Sequence, residues 1–171
     1  MKSEDLLVIA KSLMKLIKDR NFKALAGHVH PVKGAAMAPE YYDPKESIFF
    51  SKELFAKGFG NRKKYVWGVE TGRGNPIKLT FEELYKGYIY DKDYINAPQI
   101  ALNPNFESNG DRSSFLRAVR EEVPGCSFVE FHFPGFDKKY DGMDWRSLIL
   151  VFEEYKGKWY LIALINGHWT I

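Results

Sequence analysis

The sequence predicts an α+β domain with a mainly antiparallel sheet, on three observations. Helical periodicity gathers towards the amino-terminal side, with Leu6, Ile9, Leu13, Leu16 and Ile17 at three- and four-residue spacing. Period-two alternation gathers towards the end, in Phe128–Phe133 and again after Trp145. The last two apolar runs flank Lys156-Gly157, where glycine supplies the positive φ that a two-residue hairpin turn demands. Helices segregated from a run of strands give the α+β class.

The terminal hairpin sets the rest. If Tyr155 faces Lys158, then Phe152 faces Leu161, Leu150 faces Ala163, Leu148 faces Ile165, and Arg146 falls beside Gly167. One face then carries Leu148, Leu150, Phe152, Trp159, Leu161, Ala163 and Ile165, each worth about 1.5–3 kcal/mol when buried. The opposite face carries Trp145, Ser147, Ile149, Val151, Glu153, Tyr160, Ile162, Leu164, Asn166 and His168, apolar in the middle and polar at both ends. Such a face meets a second layer, a subunit or a solvated groove.

In chain order, Ser3 with Glu4 and Asp5 opens a helix running to about Asp19, and Phe22–Val29 makes a second short helix that must stop before Pro31. Gly34–Pro44 reads as loop, with Tyr41-Tyr42 folding over the core. Ile48–Phe50 is a short strand, and Ser51 caps a brief helix over Lys52–Phe59. Lys63–Glu70 alternates as a strand. Thr80-Phe81-Glu82-Glu83 is a capping box for a helix reaching about Tyr90, whose aromatic stripe leaves Tyr85, Tyr88 or Tyr90 to project a hydroxyl into a pocket. Gln99–Leu102 is a strand between prolines, Asn103–Asp111 a polar loop, and Ser113 or Ser114 opens a helix through Glu121. Cys126–Phe133 is a strand with Val129, Phe131 and Phe133 on one face and Phe128, Glu130 and His132 on the other.

The 171 residues, 45% of them hydrophobic, suffice for one domain over 1–171. A formal charge of +3, with lysines and arginines interleaved among acids, lacks the concentrated basic stripe of a nucleic-acid binder. Cys126 is alone, so no internal disulfide forms. No apolar run is long enough to span a bilayer, and the acidic start does not read as a signal peptide, so the expected location is cytoplasmic.

No cofactor is implied. The turn Thr71–Pro76 has neither glycine-rich phosphate motif, and Asp91-Lys92-Asp93 lacks the glycine and glutamate that complete a calcium loop. His28 and His30 have an H-x-H spacing that can bind metal, but no carboxylate follows at ligand spacing; they read as a structural loop pair, and no metal is expected.

The runs KYVWG at 64–68, PIKLTFEELY at 76–85, FVEFHFPGFD at 128–137, GMDWRSL at 142–148 and GKWYL at 157–161, with the closing WTI, resemble an uncharacterised bacterial family over about His28 to Ile171. That resemblance carries no activity, ligand or catalytic residue. Relatives with an exported leader make export the alternative to a cytoplasmic location. The layout of leading helices over a curved sheet resembles the NTF2-like, or cystatin-like, cone, which implies a cavity between helices and sheet and suits homodimers.

Two polar groupings are candidate sites. Glu130 and His132 share a strand face, near Asp144 and Arg146 at the mouth of the hairpin; a histidine with a carboxylate neighbour is a general-base candidate, and Arg146 an anion holder. The structural alternative is an ion-pair cluster that ties down the Pro134–Met143 connection. The second grouping is Trp145, Ser147, Asn166 and His168, which the expected register brings together as a ligand site or dimer rim. Cys126 and Ser147 lack the pattern of a nucleophile. The leading expectation is a non-catalytic module that binds a small molecule or peptide; the alternative is a cofactor-free hydrolase or isomerase using His132 with Glu130 or Asp144, and a third reading is a dimer that buries the mixed face.

Overall fold

The computed structural model describes residues 3–40, 42–104 and 111–169. The side chains of Ser3, Glu4 and Asp111 lie outside it, and with them the expected Ser3 cap, Tyr41 and most of the polar 103–111 loop. Five α-helices are described: α1 (Ser3–Lys18), α2 (Phe22–Leu25), α3 (Lys52–Ala56), α4 (Phe81–Leu84) and α5 (Asp111–Glu122). A π-helical turn, Tyr85–Ile89, extends α4. The strands are β1 (Ala35–Ala38), β2 (Phe49–Phe50), β3 (Lys64–Val69), β4 (Pro76–Thr80), β5 (Gln99–Leu102), β6 (Ser127–Phe133), β7 (Arg146–Tyr155) and β8 (Lys158–His168).

Six strands form one sheet in the order β2-β1-β8-β7-β6-β5, antiparallel except where β1 runs parallel to β8, and β3 pairs with β4 as a separate hairpin. The mixed α+β class with a mostly antiparallel sheet is therefore the observed one. Among the described residues no helix is long and apolar enough to cross a membrane.

Helices cover both faces of the sheet. The stripe Leu6, Ala10, Leu13, Met14 and Ile17 of α1 packs with Val129, Phe131, Leu148, Leu150, Phe152, Leu161 and Leu164, all essentially buried. On the other face Leu116 and Val119 of α5, with Val123 just beyond its end, pack with Phe128, Ile149, Val151, Ala163 and Ile165. The mixed face of the terminal hairpin thus meets a helix of its own.

The hairpin forms about Lys156 and Gly157, whose φ values of 51° and 75° both lie in the left-handed region that a tight hairpin turn needs. Its register departs from the expected one. Tyr155 pairs with Lys158 and Phe152 with Leu161, but Val151 then pairs with Ala163, so Ile162 is an extra residue. Beyond that bulge Leu150 faces Leu164, Leu148 faces Asn166 and Arg146 faces His168. Leu164 joins the α1 face, while Ala163 and Ile165 turn to the α5 face. Ile162, Ala163 and Leu164 are consecutive apolar residues between two buried layers, so alternation along the sequence carries no trace of the slip.

Two strands were absent from the sequence reading. Ala35–Ala38, expected as loop, is buried throughout because it is paired on both sides, by β2 and β8; its small residues have weak strand propensity and no alternation. Pro76–Thr80 does alternate, with Ile77 buried and Lys78 exposed, but it runs directly into the Thr80 capping box.

Candidate functional site

The α5 face holds a closed polar network. Alternation on β6 puts Glu130 and His132 on that face, and β7 places Ser147 opposite His132. All three are at most 3% exposed. Arg112, in the first turn of α5, grips Glu130 with two hydrogen bonds, Nε to Oε1 at 3.1 Å and Nη2 to Oε2 at 2.7 Å. Ser147 Oγ lies 2.6 Å from Glu130 Oε1 and 2.8 Å from His132 Nδ1. A carboxylate held by arginine is acceptor only, so the serine donates its one hydrogen to Glu130, and its oxygen accepts from His132 Nδ1–H.

This polarity is the reverse of a serine–histidine dyad, in which histidine takes the serine's proton. Burial, reinforced by the Arg112 guanidinium and opposed by Glu130, lowers the His132 pKa to about 4, so the ring is neutral at neutral pH. Trp145 and Phe115 close over the network, with the Trp145 ring 6.0 Å from His132 and 5.9 Å from Phe115. The network joins α5 to the sheet.

Asn166 and His168 are on the other face. The bulge at Ile162 turns them towards α1 and α4, so the expected grouping of Trp145, Ser147, Asn166 and His168 separates into two pairs across the sheet. Asn166 Nδ2 donates to the carbonyl of Tyr88 at 2.6 Å and to Tyr94 Oη at 3.3 Å. The Tyr88 carbonyl belongs to the π-helical turn, and Asn166 satisfies what would otherwise be an orphan acceptor. His168 Nδ1 donates to Asn166 Oδ1 at 2.7 Å, and its Nε2 lies 3.9 Å from Glu40, whose Oε2 accepts the Thr71 amide at 2.7 Å. Tyr94 in turn donates to Asp91, which pairs with Arg146 at 3.6 Å. Arg146 therefore projects away from His132, contrary to the expected cluster. The Tyr88 hydroxyl has its pKa raised by burial and by the charges of Glu40 and Glu70.

Asp144 works alone on the 134–143 connection. Its Oδ2 accepts the amides of Phe136 at 3.1 Å and Asp137 at 2.8 Å. Burial pushes this carboxyl up, but those two amides, its own amide and the Arg146 charge together hold the group below the ordinary carboxylate range. The connection is thus tied by Asp144 rather than by the Glu130 and His132 network.

His30 has no lone pair to offer a metal. Its Nδ1 accepts the amides of Val32 at 3.2 Å and Lys33 at 3.0 Å, which places the ring hydrogen on Nε2. The buried ring sits against Tyr155 and Tyr160, and burial lowers its pKa. His28 is exposed. Among the described residues no group of three or more His, Cys, Asp or Glu is placed to hold a metal ion.

A cleft of about 500 Å³ opens on the α5 face where α5 ends. Tyr42, Phe49, Val123, Cys126 and the bulged Ile162 line it, with Lys33, Glu122, Glu153 and Glu154 at its rim. Lys33 bonds both Glu153 oxygens, at 2.8 and 2.7 Å. Burial and the Glu153 charge raise the Cys126 thiol pKa, which removes it further from nucleophilic use. Burial raises the Tyr42 hydroxyl in the same way.

Sequence reasoning passed over Arg112 and Glu40, and gave Tyr42 only a place folded over the core. No local signal marked Arg112, because the expected helix begins at Ser113 or Ser114; the structure starts α5 at Asp111 and so puts Arg112 in its first turn, where Glu130 holds it against the helix dipole. Glu40 and Tyr42 sit in a segment read as loop. In comparisons with known proteins, no family model, no curated protein and no solved structure matches the chain.

Proposed function

We propose that the protein is a non-catalytic binding module of NTF2-like architecture, and that its ligand occupies the cleft lined by Tyr42, Phe49, Cys126 and Ile162. The observation that carries this reading is the cleft itself. Its volume of about 500 Å³ lies within the range of small-molecule pockets, and its apolar floor has a few polar groups at the rim. The rim holds three carboxylates against one ammonium, Lys33, which is already bound to Glu153. An apolar small molecule bearing a basic group complements that lining.

A catalytic reading needs a base that a substrate can touch. His132 and Glu130 are no more than 3% exposed, and Asp144 holds two main-chain amides. The non-catalytic reading is supported by that occupancy. A homodimer that buries the rest of this face is compatible with it.

The test is a calorimetric titration with amphipathic amines, comparing wild type with Cys126→Trp, which fills the cleft from its half-buried wall. A ligand of the cleft loses at least about tenfold in affinity in the variant, equivalent to about 1.4 kcal/mol. An unchanged affinity, with turnover abolished by His132→Gln, would establish the enzyme reading instead.

A further inference from the structure

The sheet ends at β5, whose only strand partner among the described residues is β6. The amide of Asn103 donates to Phe128 O at 2.9 Å, which sets the phase of the ladder. Hydrogen-bonded pairs alternate in an antiparallel ladder, so Gln99 and Ala101 turn their main-chain groups towards β6 and Ile100 and Leu102 turn theirs away. Proteins blunt such edges with charges, bulges or extreme shortness. The stretch Gln99-Ile100-Ala101-Leu102 carries no charge, and β5 pairs with β6 in unbroken register. The opposite edge, β2, has only two residues.

A groove of about 420 Å³ runs beside this edge, between α1 and the sheet. Ile95, Ile100 and Phe131 form its floor, and Lys11, Ser12 and Lys15 its helical wall. Val8, 65% exposed, lies on the same helical stripe. Neither Lys11 nor Lys15 has an acidic partner among the described residues, whereas Lys18 on the same helix meets Asp93 at 3.6 Å.

We propose that the β5 edge is a docking site for an extended segment of another protein, in which every second residue faces α1 and these facing residues are by turns apolar and acidic, and which joins the sheet as a further strand. Its main chain bonds to Ile100 and Leu102. On the α1 side, its apolar side chains enter the groove and its carboxylates meet Lys11 and Lys15. A second copy of this chain does not suit the edge. Two-fold pairing of β5 with β5 puts both α1 helices on the same side of the joined sheet, adding one pair of lysines to another.

The experiment is fluorescence anisotropy with three labelled decapeptides that carry serine at every second position: one with valine and glutamate by turns at the positions between, one with lysine in place of glutamate, and the glutamate peptide N-methylated at every second residue. The proposal expects the plain glutamate peptide to bind and the other two to fail. It expects weakening with added salt and about tenfold weaker binding to the surface variant Lys11→Glu/Lys15→Glu. Main-chain amide shifts on binding centre on Ile100 and Leu102. Equal binding of the glutamate and lysine peptides, no effect of N-methylation, no binding at all, or a sedimenting dimer that Ile100→Lys dissociates overturns it. The cleft is untouched by any of these outcomes.

Discussion

Ser147 donates its hydroxyl hydrogen to Glu130 across 2.6 Å while its oxygen receives the His132 ring hydrogen across 2.8 Å. A serine, a histidine and a carboxylate are thus in hydrogen-bond contact, yet with directions that stabilise a fold rather than activate a nucleophile. Removing one member of the Arg112 and Glu130 pair leaves its partner uncompensated. Arg112→Met, which leaves the fully buried Glu130 carboxylate without its cation, is expected to lower unfolding free energy by about 3–5 kcal/mol in urea titrations, and Arg112→Met/Glu130→Leu to recover most of the loss. An Arg112→Met loss under about 1 kcal/mol is incompatible with the buried pair.

The same network predicts a pH dependence with a definite sign. His132 titrates near 6.5 in the unfolded chain and near about 4 when folded, so protonation favours unfolding. Its contribution to stability is complete above about pH 6.5, declines as the pH falls towards 4, and changes no further below that. Urea midpoints measured across this window drop more for wild type than for His132→Gln. Parallel curves for the two proteins contradict the assignment.

Asn166 is the joint between β8 and the π-helical turn. Asn166→Leu removes the donor to the Tyr88 carbonyl, at about 1–3 kcal/mol for a buried acceptor left unsatisfied, and takes one acceptor from the His168 ring. Thermal unfolding of this variant is expected well below wild type. Hydrogen exchange is expected to accelerate first at Tyr85–Tyr90.

Gly34 has φ of 77°, and an added Cβ would stand 2.2 Å from the carbonyl oxygen of Phe50. Neither backbone can yield without parting β1 from β2. Gly34→Ala is expected to destabilise by at least about 1–3 kcal/mol, read from the urea midpoint. Gly60→Ala, with a similar φ but open space around it, serves as the milder control.

Much of this architecture was legible in the sequence, and the parts that were not share a cause. The α1 stripe, the Thr80 capping box, the β6 alternation and the Lys156-Gly157 turn each rest on local chemistry, and each is where the pattern places it. The parallel pairing of Ala35–Ala38 with β8 rests on contacts more than a hundred residues apart, which no local pattern encodes. The bulge lies where Ile162, Ala163 and Leu164 are all apolar, so a one-residue slip exchanges like for like in the core. Its consequence appears only at the polar end of β8, where Asn166 and His168 change faces. Glu130 and His132 were readable as a pair; that Arg112 completes it depends on how α5 crosses the sheet.

The separation of Asn166 and His168 from the Ser147 network depends on that bulge, and the register at Leu150 tests it directly. In an NMR spectrum of the labelled protein, the Leu150 backbone is expected to show cross-strand nuclear Overhauser contacts to Leu164, and Leu148 to Asn166. Contacts from Leu150 to Ala163 and from Leu148 to Ile165 instead would mean an uninterrupted ladder. Ser147 and Asn166 would then share a face, and the two separate networks described above would not exist.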